Sequence, residues 1–437
     1  MKKSLTFVLV VAAFIFISPF SVSAAAEEEW SQKLDLTDSV STSVIKLDDG
    51  IVVMKYEGSA SENSTLTKYD FNGNEVWSIK NEYGYEMGAL GDGFIVYASD
   101  VSMTKISSDG EVLWSKELGY FYSSQVIDLD TGFLIVRDET IYRYDDNGNL
   151  LKSLLKRDVF TSVSGNGGTS SNFAVSLSSD KKSILVFITW YQNITGGSSG
   201  YYHAVAKYSL NLDYISSTIA YTGNQSYDGL TKMVETESNY IVTGDYTMVF
   251  NKKGQVDKVL NLAVINIQYI DGDIYVYATK KSDNYCVYDT YAAKYDENMN
   301  LIIDYSPFYS FEVNASYYMQ YCGDNYPLAT TSFASIKNRG VFYKDSNGVH
   351  FVILNSSLSY NVFSGQYANP TNSNYSVLQY RLTDDNSNNA VTDDGIIDNI
   401  FENPETSSIA VVIAFVVVIL LGGVGFYFGY RKKSNAK

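Results

Sequence analysis

The 437-residue chain has very few of the residues that build metal centres and disulfide scaffolds, with only two cysteines and two histidines. These numbers are too small for a zinc cluster, an iron–sulfur site or a multi-histidine centre, and they exclude a disulfide-dense fold. Positive charge is also scarce, since 32 basic residues stand against 49 acidic ones and give a net charge of −17. A chain with this balance repels phosphate backbones, so we expect no nucleic-acid partner.

Sequence motifs of catalysis are also scarce. The chain has no Walker phosphate-binding motif and no HExxH zinc motif. His203 and His350 are its only histidines, and nothing in their sequence surroundings indicates a Ser–His nucleophile pair. We therefore interpret both as strand or surface residues, and we predict no catalytic residue.

The N-terminus has the three-part order of a secretory signal peptide. Lys2 and Lys3 precede an apolar run from Phe7 to Ile17, and small residues follow up to Ala24. This order predicts that residues 1–24 are a signal peptide cut after Ala24. An uncleaved anchor helix is the alternative, although the apolar run is short for a membrane span.

The C-terminus predicts a membrane anchor. Residues 409–430 carry no charge, and this length is enough for one transmembrane helix. The basic tail, residues 431–437, favours a cytoplasmic C-terminus with everything upstream facing outward. Residues 387–408 contain acidic but no basic residues and are rich in Asn and Ser, so we expect a short disordered stalk there.

A short motif precedes the apolar span. It consists of Asn403, Pro404, Glu405, Thr406 and Ser407. Together with the span and the basic tail, it resembles the cell-wall sorting signal of Gram-positive surface proteins, which has a pentapeptide of the Leu-Pro-x-Thr-Gly (LPXTG) type. The resemblance covers only residues 403–437 and implies that a sortase cuts after Thr406 and joins it to peptidoglycan. Asn403 replaces the usual Leu and Ser407 the usual Gly, so retention as a single-span membrane protein stays open.

Between these ends, residues 25–386 contain a repeated phrase. Clear copies begin at Leu66 (LTKYDFNGNEVWSIK), Met103 (MTKISSDGEVLWSKEL) and Ile141 (IYRYDDNGNLLKSLL). Each copy is an alternating strand, a turn rich in Asn, Asp or Gly, and a second alternating strand, which is the pattern of a β-hairpin. Weaker copies begin at Val205, Met248 and Ala292.

A second hairpin precedes most copies of the phrase. Examples are GDGFIVYASD from Gly91 and DGDIYVYATK from Asp271. Each unit therefore holds about four strands in roughly 40–50 residues, which is typical of a β-propeller blade. We predict an all-β fold over residues 25–386 with about seven blades, eight or six being alternatives. A β-sandwich array is the other all-β possibility.

The two ends of the repeat region are complementary. Residues Glu27–Leu34 (EEEWSQKL) resemble the closing strand of a repeat that has no opening half, and Asn374–Asn386 resemble an opening half that has no closing strand. When the first strand of a propeller completes the last blade, no open sheet edge is left at that point. We predict that the strand around Trp30 pairs with the strand around Tyr380.

The hairpin phrase contains Asp70, Gly73 and Trp77 as Asp-x-x-Gly-x-x-x-Trp. In this it resembles the repeats of quinoprotein-like (PQQ-like) β-propellers, and the resemblance implies the fold alone. Nothing matches a quinone site residue by residue, so we predict no cofactor. The oxygen-rich turns at Asp145 and Asp296 leave a structural calcium ion open, although neither turn has the spaced ligands of a calcium loop.

Cysteine and tyrosine supply two further candidates. If Cys286 and Cys322 are exported, the oxidising exterior favours a disulfide between them, with two unpaired buried cysteines as the alternative. The chain has 38 tyrosines, and seven of them crowd into residues 291–321. Tyrosine is enriched at recognition surfaces, but it also fills strand faces through its β-propensity.

These observations predict a non-enzymatic β-propeller that is displayed at a Gram-positive-type cell envelope and binds or scaffolds an extracellular protein or glycan. One alternative is a glycan hydrolase or lyase with carboxylates in the central funnel. Asp70, Asp109 and Asp145 argue against it, because aspartates in such turns usually cap backbone N–H groups. The other alternative is a membrane-tethered sensor, which the short cytoplasmic tail disfavours.

Overall fold

A computed structural model describes most of the chain between residues 26 and 383. The described ranges are 26–34, 40–57, 64–84, 86–97, 102–117, 124–137, 139–164, 170–192, 199–223, 229–244, 246–281, 287–312, 340–355, 359–361, 366–368 and 375–383. The predicted signal peptide, stalk, sorting motif, transmembrane span and tail lie outside these ranges, as do Cys286 and Cys322. The described residues all belong to one compact unit.

The strands form seven four-stranded antiparallel sheets, and in six of them the order along the chain is also the order across the sheet. Blade 1 consists of β2 (Val40–Leu47), β3 (Gly50–Glu57), β4 (Thr65–Tyr69) and β5 (Glu75–Lys80). Blade 2 consists of β6 (Glu86–Leu90), β7 (Gly93–Tyr97), β8 (Ser102–Ser107) and β9 (Val112–Glu117). Blade 3 consists of β10 (Ser124–Leu129), β11 (Gly132–Arg137), β12 (Thr140–Tyr144) and β13 (Leu150–Leu155). Blade 4 consists of β14 (Ser170–Leu177), β15 (Ser183–Gln192), β16 (Gly200–Ser209) and β17 (Tyr214–Gly223). Blade 5 consists of β18 (Lys232–Glu235), β19 (Asn239–Thr243), β20 (Thr247–Asn251) and β21 (Val256–Leu260). Blade 6 consists of β22 (Ala263–Ile270), β23 (Asp273–Lys281), β24 (Val287–Tyr295) and β25 (Leu301–Glu312).

Blade 7 joins the two ends of the repeat region. Its strands are β26 (Gly340–Asp345), β27 (Gly348–Asn355), β30 (Tyr375–Leu382) and β1 (Ala26–Leu34), in that order across the sheet. A short hairpin of β28 (Ser359–Asn361) and β29 (Gln366–Ala368) lies between β27 and β30 in the chain.

The closing strand pairs as the sequence predicts. In the antiparallel pair of β1 and β30, Glu28 lies opposite Tyr380 and Trp30 lies opposite Gln379. The first strand of the repeat region thus completes the last blade. This pairing and the seven sheets confirm the predicted seven-bladed, closed β-propeller.

The hydrophobic core lies between the blades. Seven buried clusters each combine residues of two neighbouring blades, and together they account for all seven seams. Phe94 of blade 2, for example, packs with Leu66 of blade 1, while Val352 of blade 7 packs with Val53 of blade 1. Period-2 alternation along each strand puts apolar side chains on both faces of a sheet, so each blade contributes to two seams.

The first strand of each blade lies on the inside of the ring. In six of the seven seams the first strands of the two neighbouring blades pack closely against each other: β2 with β6, β6 with β10, β14 with β18, β18 with β22, β22 with β26, and β26 with β2. Among these seven inner strands, whose backbones are all described, β10 and β14 are the neighbours that do not pack closely. The inner ring is therefore loosest between blades 3 and 4.

One helix, α1 (Lys156–Ser164), packs in that seam against β13, β14 and β16. Val159 and Phe160 are buried among residues of blades 3 and 4, and the Phe160 ring meets Trp190 edge-on with 5.7 Å between ring centroids. The sequence pattern predicted only strands here and missed this helix. Within the described ranges, no helix has both the length and the apolar character needed to cross a membrane.

Candidate functional site

A tryptophan on the outer strand of three blades ties that blade to the next one. In each case the indole N–H donates to a carbonyl oxygen in the turn between the third and fourth strands of the next blade: Trp30 to Phe71 at 3.1 Å, Trp77 to Ser108 at 2.9 Å, and Trp114 to Asp146 at 3.0 Å. Trp30 makes this bond across the seam between blade 7 and blade 1.

The glycine of the same turn allows the tryptophan to come close. Gly148 has a φ of +72°, and a Cβ there would lie 2.8 Å from the Trp114 ring. Gly73 has a φ of +81°, and a Cβ there would lie 2.7 Å from Trp30. The Asp-x-x-Gly-x-x-x-Trp motif therefore places the Trp of one repeat against the Gly of the next.

Lysine takes the place of tryptophan in two other seams. Lys152 of β13 forms an ion pair with Asp213 of blade 4, with 2.7 Å between Nζ and Oδ1. Lys258 of β21 donates to the carbonyl oxygen of Met299 at 3.3 Å and to Oδ1 of Asn300 at 3.0 Å, both in blade 6. Polar contacts across the seams thus continue where the Trp motif is lost.

Buried cations on the third strands reinforce the same end of the ring. Lys68 is only 3% exposed, and its Nζ lies 2.7 Å from Asp49 Oδ2 and 3.0 Å from the carbonyl oxygen of Ser108 in blade 2. Burial alone would raise the pKa of Asp49, but hydrogen bonds from Lys68 and Ser108 outweigh it and lower the pKa. Lys105 repeats the arrangement with Asp92 at 2.9 Å.

A polar network joins the N-terminal strand to blade 7. His350 is 2% exposed, with Nδ1 2.8 Å from Glu29 Oε2 and Nε2 2.9 Å from Asp345 Oδ1. Gln379 donates from Nε2 to the same Glu29 oxygen at 2.7 Å, and it accepts a bond from the Tyr343 hydroxyl at 2.8 Å. His350 is a strand residue, as the sequence predicts, but the sequence did not indicate its contact with Glu29.

His203 lies in the seam between blades 4 and 5. Its ring stacks on Phe187 with 6.0 Å between centroids, and Nε2 lies 2.8 Å from the Thr222 hydroxyl. Burial lowers the pKa of His203 to about 4, so the ring is neutral at pH 7. This is a packed strand histidine, in keeping with the sequence interpretation.

The turn aspartates serve mainly as caps. Asp145 Oδ1 accepts bonds from the backbone N–H groups of Asn147 at 3.0 Å and Asn149 at 2.8 Å. Asp296 makes the equivalent bonds in blade 6. In the turn that contains Asp109, the capping oxygen belongs instead to Ser107. Across the part of the chain that the structure describes, no three His, Cys, Asp or Glu side chains come together as metal ligands.

The tyrosine-rich region is described only in part. Tyr295 and Tyr305 are core residues in the seams of blade 6, with 8% and 2% exposure. Burial raises the pKa of Tyr295 to about 12. The side chains of Tyr309, Tyr317 and later tyrosines of this region lie outside the described residues.

A cavity of about 370 Å³ lies where the inner strands β10 and β14 separate. Its lining includes Gln125, Asp128 and Asp130 of blade 3 and Ser176 and Lys181 of blade 4. Burial, together with the carboxylate of Asp92, raises the pKa of Asp128. Of the described residues that line the cavity, two are carboxylates and none is Tyr or Arg.

An arc of exposed apolar side chains runs along the outer strands of blades 1 to 4. They occupy equivalent positions, have exposures of 48–55%, and form what we call the rim arc: Val76, Leu113, Leu151 and Ile215. Asp257 holds this position in blade 5 and Glu29 holds it in blade 7, while Ile302 of blade 6 is less exposed at 38%. Outer-strand polarity did not enter the sequence predictions, so this surface was missed.

Comparison with known proteins gives only distant likenesses. No family model matches the chain, and no curated protein matches it. Among solved structures, the chain is similar to the N-terminal domain of BBS1 in complex with ARL6 (8% identity, TM-score 0.46, 83% of this chain and 99% of that chain). It is also similar to BamB from Moraxella catarrhalis (14% identity, TM-score 0.32, 58% of this chain and 95% of that chain). A third similar structure is Hsv2 from Kluyveromyces lactis (7% identity, TM-score 0.39, 75% of this chain and 97% of that chain). These values are too low to bear on function, and the fold assignment rests on the strand pairing described above.

Proposed function

We propose that this chain is a non-enzymatic β-propeller that binds a partner protein at the outer face of a Gram-positive-type cell envelope. The observation that carries the proposal is the rim arc. Exposed apolar patches on a protein surface mark interaction sites, and exposed apolar side chains recur at this one position over four successive blades.

The ring around the arc provides a rigid platform. Trp77 and Trp114 tie blades 1, 2 and 3 together, and Lys152 ties blade 3 to blade 4. Because the outer strands are held by the seams behind them, the exposed side chains of the arc keep fixed mutual positions. Binding then costs little ordering of the platform, which favours affinity.

The location at the envelope is supported by the sequence at both ends. Residues 1–24 have the order of a signal peptide, and residues 403–437 resemble a sorting signal with its apolar span and basic tail. The test is to fractionate cells, digest the wall with a muralytic enzyme, and determine where the mature chain ends. A product that ends at Thr406 on peptidoglycan supports sortase attachment, whereas an intact tail in the membrane fraction supports simple retention.

The binding role is tested by cross-linking in intact cells. We expect an amine-reactive cross-linker to give a discrete adduct with the wild-type chain, and Leu113→Glu and Leu151→Glu each to reduce it strongly, because a charge in an apolar contact is costly. Ser31→Glu, at an exposed position on β1 in blade 7, is the matched control and keeps the adduct. No adduct, or equal adducts in all four proteins, contradicts the proposal.

Asp128 favours a second candidate function, a glycan hydrolase. A carboxylic acid with a raised pKa in a cavity is what a general acid requires, and Asp130 supplies a second carboxylate nearby in the chain. The test is release of reducing sugars from cell-wall polysaccharide by the wild type and by Asp128→Asn. Release that Asp128→Asn abolishes would favour the hydrolase, and absence of release in both proteins leaves the binding role.

A further inference from the structure

The central hairpin of blade 4 extends beyond the neighbouring blades. β15 and β16 have ten residues each, whereas the equivalent strands of blades 3 and 5 have five or six. Counted from the equivalent residues Tyr208 and Phe250, β16 begins about five residues further out than β20, which is roughly 16 Å of strand. We call the projecting part, residues 188–192 and 200–204, the overhang.

One face of the overhang is covered by helix α1. Trp190 is only 4% exposed, meets Phe160 of the helix edge-on, and stacks on Tyr202 with 5.5 Å between ring centroids. Side chains alternate between the two faces of a strand. Tyr191 and Tyr201, which lie opposite each other in the pair of β15 and β16, therefore point to the other face. There the shorter hairpin of blade 5 ends, and Tyr191 is 48% exposed.

These two tyrosines form a corner of aromatic rings. Their ring centroids are 5.0 Å apart, and their planes meet at 68°. Neither hydroxyl has a hydrogen-bond partner among the described residues. The corner therefore offers a ligand aromatic surface, whose negative face attracts C–H groups, together with two hydroxyls that can donate and accept hydrogen bonds.

The overhang carries no charge. Residues 183–206 contain no Asp, Glu, Lys or Arg, in a chain of which 19% is charged. His203 is the one histidine in this segment, and it is neutral at pH 7 because burial lowers its pKa to about 4. A charged ligand would be partly desolvated here without an ion-pair partner from this segment, which is unfavourable. The local chemistry therefore selects a neutral ligand.

The size of the corner distinguishes a small ligand from a protein. A fully buried tyrosine removes about 150–250 Å² of surface, so two partly exposed tyrosines offer roughly 200 Å². A stable protein interface needs about 800 Å² from each partner. A sugar ring matches both the area and the chemistry, because it has C–H groups on its faces and hydroxyls around its edge.

We propose that the overhang binds a neutral, β-1,4-linked oligosaccharide, one ring of which stacks on the corner formed by Tyr191 and Tyr201. In such a chain the linkage oxygens are equatorial, so each ring keeps C–H groups on both faces and can lie flat on an aromatic side chain. The site is separate from the rim arc: Ile215 lies near the start of β17, whereas Gly223, opposite Tyr201, is its last residue. The inference therefore goes beyond the proposed protein-binding role.

The probe is chitotetraose, a neutral β-1,4-linked tetrasaccharide, titrated into the purified full-length protein and followed by calorimetry. We expect saturable binding, and binding of maltotetraose that is at least about tenfold weaker, because its α-linkages curve the chain away from a flat contact. The affinity for chitotetraose should be independent of salt concentration, since no ion pair contributes to it.

Three variants locate the site. Tyr191→Ala removes one ring of the corner and should weaken chitotetraose binding about tenfold, whereas Tyr191→Phe keeps the ring and should bind within about threefold of the wild type. Tyr214→Ala is the matched control, because Tyr214 has a similar exposure of 45% at the opposite end of β17, and it leaves binding unchanged. Thermal unfolding of each variant verifies that it is folded.

The proposal is overturned if chitotetraose does not bind saturably, if maltotetraose binds equally well, or if Tyr191→Ala binds chitotetraose as the wild type does. It is also overturned if Tyr191→Ala abolishes the cellular adduct while no oligosaccharide binds, because a protein then occupies the overhang.

The outcomes also separate this inference from the proposed function. If the cellular adduct depends on Leu113 and Leu151 while chitotetraose fails to bind, this inference is wrong and the proposed function stands. If chitotetraose binds and the binding depends on Tyr191, but no cellular adduct forms, the sugar site is supported and the proposed role of the rim arc is wrong.

Discussion

Glu29 and His350 are separated by 321 positions in the chain, yet Glu29 Oε2 lies 2.8 Å from His350 Nδ1. This contact joins β1, the first described strand, to β27 of the same blade, and so ties the two ends of the repeat region together. The Glu29 oxygen also accepts a bond from Gln379 on the strand in between. The first and last parts of the repeat region therefore share one polar network, in addition to the backbone pairing of β1 with β30.

Removing the Glu29 carboxylate should weaken the closure. Glu29→Ala leaves polar atoms of His350 and Gln379 without this acceptor, and we expect the free energy of unfolding to fall by about 1–3 kcal/mol. Urea denaturation followed by tryptophan fluorescence measures it. Glu28→Ala, an exposed position on the same strand, should change stability by less than about 0.5 kcal/mol. Equal effects of the two substitutions would show that the network does not stabilise the closure.

Two glycine-to-alanine substitutions distinguish the steric effect of a Cβ at Gly148 on Trp114 from the general cost of a side chain at a positive φ. Gly148→Ala places a Cβ 2.8 Å from the Trp114 ring at a positive φ, whereas Gly272→Ala has a positive φ with nothing within 4 Å. We expect Gly148→Ala to be the more destabilising by about 1–3 kcal/mol, because it also overpacks the seam. Chemical denaturation of both variants tests this difference. Equal losses would mean that the seam tolerates the extra methyl group.

The buried ammonium of Lys68 should set the acid stability of its seam. The pKa of Asp49 is lowered, so the contribution of this carboxylate is present above its unfolded pKa and is lost as the pH falls below it. Lys68→Met removes the cation and should cost about 1–2 kcal/mol at pH 7. It should also raise the pKa of Asp49, which an NMR titration measures. An unchanged pKa would show that the ion pair is absent in solution.

His203 predicts a loss of stability in mild acid. Its pKa falls from 6.5 to about 4 on burial, so between these values the unfolded chain binds a proton that the folded chain does not. Stability is therefore full above about pH 6.5 and falls as the pH drops towards 4, by about 2 kcal/mol at pH 5. His203→Phe should remove this part of the pH dependence. Parallel stability curves for the two proteins between pH 7.5 and 5 would contradict the assignment.

The disulfide between Cys286 and Cys322 is predicted from sequence and lies outside the described residues. Peptide mapping of the exported protein without reductant should detect the two cysteine peptides as one linked species. Reduction should then lower stability by about 2–4 kcal/mol. Two separate thiol peptides in the unreduced protein would favour the alternative of unpaired cysteines.

Much of the architecture could be predicted because it depends on local repetition. The copies that begin at Leu66, Met103 and Ile141 each correspond to the third and fourth strands of a blade. Their turn residues and two-residue alternation are local properties of the chain, and pairing in each blade follows chain order. The closure was predictable for the same reason, since Trp30 occupies the position of Trp77 in an incomplete repeat.

Features that depend on two neighbouring blades were harder to predict. Helix α1 occupies the seam between blades 3 and 4, where buried space exists for Val159 and Phe160. The cavity beside Asp128 exists because β10 and β14 separate. No single copy of the repeat predicts the helix or the cavity, because the distance between two blades depends on the whole ring.

The sequence by itself determined the repeat, the hairpins, a closed ring of about seven blades and the strand that closes it, because hydrophobic alternation and turn chemistry act within a few residues. Only the tertiary structure decided the exact number of blades, which side chains distant in the chain meet, such as Glu29 with His350, and which apolar side chains remain outside, such as Leu151 and Ile219. Burial is a property of the assembled ring: the same alternating strand is core when another blade covers it and a candidate binding surface when none does.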